Sequence, residues 1–228
     1  TTGDNNTAVG FQALDAEDDT SNSTAIGFTA LTTQNGGGSN TAVGAYSLAL
    51  LTDGGSNVAV GDFAGFSTTS AIDTVFIGHN AGLFATTANS STFVGSFAGQ
   101  GITGVKLTGN NNTAVGTSAG LLLQGGAAQN TLIGTSAGDS VTTGTSLTIL
   151  GYNAGQALEG ATRTTCIGDS AGASVTTNDN TFIGQNSGQS ITSGDANTIL
   201  GRFSGNANGL DIRTSSNRIV LSDGDGVP

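Results

Sequence analysis

Catalysis, metal binding and covalent chemistry all need His, Cys, Asp, Glu or nucleophilic side chains that converge in one place. This chain of 228 residues holds one histidine, His79, one cysteine, Cys166, and 16 carboxylates. The spacing of these residues decides what they can do. A Cys–His dyad would have to join positions that stand five repeats apart in a repetitive sequence, far from contact. The carboxylates do not pair across one groove as glycoside cleavage requires. Asp62 and Asp169 share a repeat position but lie several repeats apart. Two acidic turns, Asp15, Glu17, Asp18 and Asp19 near the start and Asp223 and Asp225 near the end, could offer oxygens to a cation. Each reads more simply as a solvated turn. Asn5, Asn22, Asn89 and Asn111 open glycosylation sequons, but Asn and Ser are also what turns demand. Cys166 has no partner for an intrachain disulfide. The chain therefore reads as a non-enzyme with no cofactor and no metal.

Composition supports that reading. Formal net charge is −11, with five Lys and Arg in all. Nucleic-acid binding needs a basic stripe to displace counterions, and none is present. No apolar run reaches the ~20 residues of a membrane helix, so no membrane insertion is expected. Gly is abundant, at 38 residues, and only 9% of residues are charged. Small and β-branched residues between Gly and Asn turns suit strands, not helices.

The element that positions everything is a repeat. "NTAVG" stands at 6–10, 40–44 and 112–116, with near-copies "STAIG", "NVAVG", "NTLIG" and "NTILG". The closing glycines are Gly10, Gly27, Gly44, Gly61, Gly78, Gly95, Gly116, Gly134, Gly151, Gly168, Gly184 and Gly201. A near-constant step of about 17 residues marks a solenoid. The one long step contains Gly104–Asn112, which predicts a loop bulging from a coil. Numbered from the glycine, position −1 is always aliphatic and +3 always Ala or Ser. Position +4 is Leu in three coils and Gly in nine. Position +7 is often aliphatic, and −4 is usually Asn, Ser or Thr. The pattern predicts an all-β parallel β-roll or β-solenoid of about twelve coils. Each coil would hold one strand ending at the glycine and a second near +7, stacked at about 4.8 Å.

Positions −1 and −2 point to opposite faces of a strand. The −1 column is taken to fill the roll. The −2 column is also apolar: Ala8, Ala25, Ala42, Ala59, Phe76, Phe93, Ala114, Leu132, Ile149, Cys166, Phe182 and Ile199. A strand apolar on both faces needs cover on both, so these twelve residues are expected to face a second copy of the chain. Thr recurs at −3, where stacked hydroxyls can form a ladder. An exposed threonine ladder would be the pattern of ice-binding solenoids, but sharing a face with a buried −1 column argues for a semi-buried one. Tyr46, Phe63, Phe97, Tyr152 and Phe203, at +1 and +2, are candidates for a sugar-stacking surface or for packing between chains.

The run of "NTAVGxxAL" and "NTFVGxxAG" copies resembles the repeats of phage tail-fibre proteins. It is also similar to the head repeats of trimeric autotransporter adhesins of the YadA type. The likeness covers residues 1–205. Residues 206–228 read as an imperfect last coil or neck, and "SSNRIVLSDGDG" resembles the segment that leads into a C-terminal intramolecular chaperone. The chain begins within a repeat and reads as a piece of a longer one. The resemblance implies a homotrimeric rod in a virion tail fibre, or alternatively on a bacterial cell surface. It would extend a distal tip or touch a host surface glycan or protein.

Overall fold

The computed structural model describes residues 3–16 and 19–228 of the chain. Thirteen strands of three residues form one parallel sheet, in chain order. They are β1 (Thr7–Val9), β2 (Thr24–Ile26), β3 (Thr41–Val43), β4 (Val58–Val60), β5 (Val75–Ile77), β6 (Thr92–Val94), β7 (Thr113–Val115), β8 (Thr131–Ile133), β9 (Thr148–Leu150), β10 (Thr165–Ile167), β11 (Thr181–Ile183), β12 (Thr198–Leu200) and β15 (Ile219–Leu221). Each pairs in register with the next copy of itself: Thr165 lies beside Thr181, Cys166 beside Phe182 and Ile167 beside Ile183. Between β12 and β15 the chain makes a hairpin of β13 (Asn206–Ala207) and β14 (Leu210–Asp211) around Asn208–Gly209. The array therefore has a thirteenth coil, closing at Ser222 where the other coils have glycine. Thirteen strands at about 4.8 Å make a ladder roughly 58 Å long.

Among the described residues the second strand expected near +7 is not formed, only isolated parallel bridges such as Ala85 with Leu107. One strand per coil is regular, and the rest of the coil is turns that bond to the coils above and below. Residues at −5, +2 and +4 take left-handed backbone angles in coil after coil, as at Asn111 (φ 61°), Ser118 (φ 57°) and Gly120 (φ 56°). Such alternation winds the chain too tightly for a second extended run. Its amides bond along the rod instead: Ser118 N–H donates to the Ser96 carbonyl and Gly120 N–H to the Ala137 carbonyl, both at 2.9 Å.

The structure reverses the two faces of the strand. Ala25, Ala42, Ala59, Phe76, Phe93, Ala114, Leu132, Ile149, Cys166, Phe182 and Ile199 are fully buried inside the single chain, packed on the +3 alanines and on the +7 residues Leu51, Leu123, Val141, Leu158, Val175 and Ile191. Only Ala8, in the end coil, is exposed. The −1 column points outward: Val9, Ile26, Val60, Ile77, Leu150, Ile183 and Leu200 are 37–57% exposed. The −2 residues are thus core, not a chain–chain contact. The coil closes around a thin interior, whose fill is shared between −2 and +4. Where −2 is Ala in the first three coils, Leu14, Leu31 and Leu48 supply the bulk from +4. From coil four onward +4 is Gly and, apart from Ala59 and Ala114, larger −2 side chains take the space. A Cβ on Gly65 would stand 2.8 Å from the Phe76 ring, and one on Gly120 2.7 Å from Leu132.

Position −4 lies on the same inward face, and its polar side chains pair along the rod. Asn130 is 1% exposed. Its Oδ1 accepts from Leu147 N–H at 3.0 Å, and its Nδ2 donates to the Gly144 carbonyl at 2.8 Å and to Asn112 Oδ1 at 3.0 Å. Asn57 does the same for Thr74 N–H and the Ala71 carbonyl. Each buried group left without a partner costs about 1–3 kcal/mol. Asn130→Ala orphans two backbone groups and is expected to cost about 3 kcal/mol, read as a lower urea midpoint.

Candidate functional site

His79 is exposed, and its ring lies 5.2 Å from that of Phe97 in a T-shaped contact at 89°. Cys166 is buried among the −2 residues, and loss of solvation pushes its thiol up to about 12. A thiol held protonated inside the roll is no nucleophile. Several carboxylates serve turns and ion pairs. Arg163 clasps Asp179 through two nitrogens, at 2.7 and 2.9 Å. Arg213 does the same for Asp211, which its guanidinium holds down at about 2. Both pairs are solvent-exposed and of small worth to stability. Asp223 accepts from the N–H groups of Asp225 and Val227, closing a turn. Glu17 and Asp18 of the first acidic turn lie outside the described residues. Among the described residues no three His, Cys, Asp or Glu gather as metal ligands do.

The aromatic candidates divide. Phe203 is fully buried and is not a surface residue. The chain leaves the regular path just after it, and the thirteenth coil covers it, with Ser222 Oγ accepting from its N–H. Tyr152 stands alone and 56% exposed. Tyr46 and Phe63 stack on each other, centroids 4.6 Å apart and planes 14° from parallel. They belong to a longer seam that runs along the first coils: Phe11 stacks on Phe28, Phe28 meets Tyr46 edge-on, and Phe66 meets Phe63 edge-on. Phe63, Phe66, Asn80, Leu83 and Phe84 then line an apolar furrow of about 300 Å³. Ring faces are turned to one another in two pairs, Phe11 with Phe28 and Tyr46 with Phe63, and the other contacts of the seam are edge-on. Phe11, Phe28, Phe66 and Phe84 are absent from the sequence candidates. Phe11 and Phe28 stand one repeat apart, as Tyr46 and Phe63 do, and that spacing is the signal that could have found the first two.

The strand face is the other continuous surface. Its 26 outward positions are the −3 and −1 residues of thirteen strands, and none is charged. No known protein family, curated protein or solved structure matches this chain. The geometry defines its class: a repeat protein with an all-β parallel solenoid fold of thirteen turns.

Proposed function

We propose that this solenoid is a segment of an extracellular fibre that sets length and presents adhesive surface. The phage tail fibre is the favoured setting and the head of a bacterial trimeric adhesin the alternative. The observation that supports a structural role is the unbroken ladder from β1 to β12, with the same bonds repeated at every step. Each coil contacts only its neighbours, so adding coils adds length without redesign.

Three copies are proposed to associate, as the resemblance implies. With the −2 column inside the roll, contact between copies has to use outward residues. The aromatic seam fits best, since interfaces are enriched in aromatic side chains and their energetic centres under-use Thr and Val. Light scattering is expected to give three times the 22.2 kDa of one chain. The double variant Phe28→Asp, Phe63→Asp should return the mass of a single chain. A monomeric wild type would refute the association, and an unchanged mass in the variant would refute the seam. Gold-labelled antibody to this segment should decorate virion tails, whereas decoration of a bacterial surface would select the adhesin.

A further inference from the structure

We propose that the strand face binds ice. The face carries two rows that run the length of the rod, Thr at −3 and aliphatic residues at −1. Ten of the thirteen −3 positions are Thr, and among the described residues none of those ten hydroxyls has a hydrogen-bond partner in the chain. Every one stands at least partly in solvent. Elsewhere threonine hydroxyls are commonly engaged, as at Thr68, Thr74 and Thr142. Single unbonded threonines such as Thr29 occur elsewhere, but on this face ten free hydroxyls recur at one position of the coil.

The array is also stiff. Of the 26 outward residues 23 are Thr, Val or Ile, whose branched Cβ restricts χ1. Register is held step by step by backbone bonds, so hydroxyls and methyls recur at the inter-strand spacing of about 4.8 Å. Little side-chain entropy remains to be lost on binding.

Such a surface offers a soluble partner no charge, no pocket and no large anchoring side chain. It offers a periodic ligand a match at every coil. Ice is periodic on a similar scale: hydroxyls of the Thr row take the place of lattice waters, and methyls of the −1 row order the water against them. A second copy of the chain on this face would instead remove ten hydroxyls from water, a desolvation that the aromatic seam does not impose. Ice binding rests on the adhesive-rod reading only for the rod. It uses a surface that the rod would hold, and it is separate from the trimer.

The test uses the full chain. Wild type is expected to partition into a slowly growing ice hemisphere and to show thermal hysteresis, with an inert soluble protein excluded from the same ice. Thr131→Tyr with Thr148→Tyr, which disturb the array at mid-rod, should abolish both signals. Thr143→Lys, on an exposed turn outside the strand, should keep both. Far-UV circular dichroism and melting verify that each variant is folded. Exclusion of the wild type from ice overturns the proposal and leaves the rod reading standing. Unchanged partition of the double Tyr variant overturns it as well. If the wild type is excluded and the Tyr variant lowers the solution mass, the face is a contact between copies.

Discussion

Ala114→Asp is expected to unfold the middle of the rod, whereas Val115→Asp, one residue along the same strand, leaves it folded. Ala114 is fully buried between Phe93 and Leu132 in the −2 ladder. A carboxylate there has no cation within the roll to pair with and, at full burial, lies out of contact with solvent. An unpaired buried charge costs about 4 kcal/mol or more. The side chain also has to be fitted between neighbours already in contact, which adds strain. Val115 points the other way and is partly exposed. Asp there loses β-propensity and contact with Val94 and Ile133, about 1 kcal/mol. Thermal melting followed by circular dichroism separates the two outcomes. A folded Ala114→Asp chain whose mass drops would place the −2 column on an outer surface and refute the assignment of faces.

Gly116→Ala comes second in size. Gly116 has φ +129°, a conformation L-residues rarely adopt. An added Cβ would stand 2.6 Å from the carbonyl oxygen of Gly134, the same position of the next coil, and 2.7 Å from its carbon. Backbone strain of about 1–3 kcal/mol and a comparable cost of overpacking give a loss of about 4 kcal/mol. The clash is with backbone, so no rotamer change relieves it. Because coils contact only neighbours, the damage should be local. Hydrogen exchange is expected to rise first at Thr113–Val115 and Thr131–Ile133. Gly104→Ala is the control, since nothing lies within 4 Å of a Cβ there. Equal losses at the two sites would mean that the glycine column is not what sets the distance between coils.

Much of this fold is legible in the residues. The regular step marks the coils, the aliphatic–glycine pair marks the end of each strand, and identical words in successive coils imply parallel, in-register pairing. The strands end at the marked glycines as that pattern requires, and +3 and +7 enter the core. The absence of a second strand is not legible, because a run of Ala, Gly and Leu near +7 suits a strand or a turn equally. The left-handed angles at +2, which decide it, fall on Ser, Asn, Phe and Tyr alike. The aromatic seam was only half legible: neighbouring rings come from +1, +2 and +5, three columns that meet only once the coil has turned.

The side of the strand that faces inward is the sharpest case. Alternation alone dictates that Ala114 and Val115 oppose one another, that Asn112 sides with Ala114, and that Thr113 sides with Val115. It says nothing about which pair is inside, because both −1 and −2 are apolar. Hydrophobicity would choose the larger Val. The closed coil turns the −2 side inward whether it carries Ala114 or Phe93, because that side also holds the −4 Asn whose amide bonds the coils above and below. That choice belongs to the cross-section of the rod, a property of the whole coil and of the coils on either side. The local sequence therefore set the period, the strand and the register. Only the closure of the coil turned the Asn-bearing −2 face inward and left Thr and the −1 aliphatics toward the solvent.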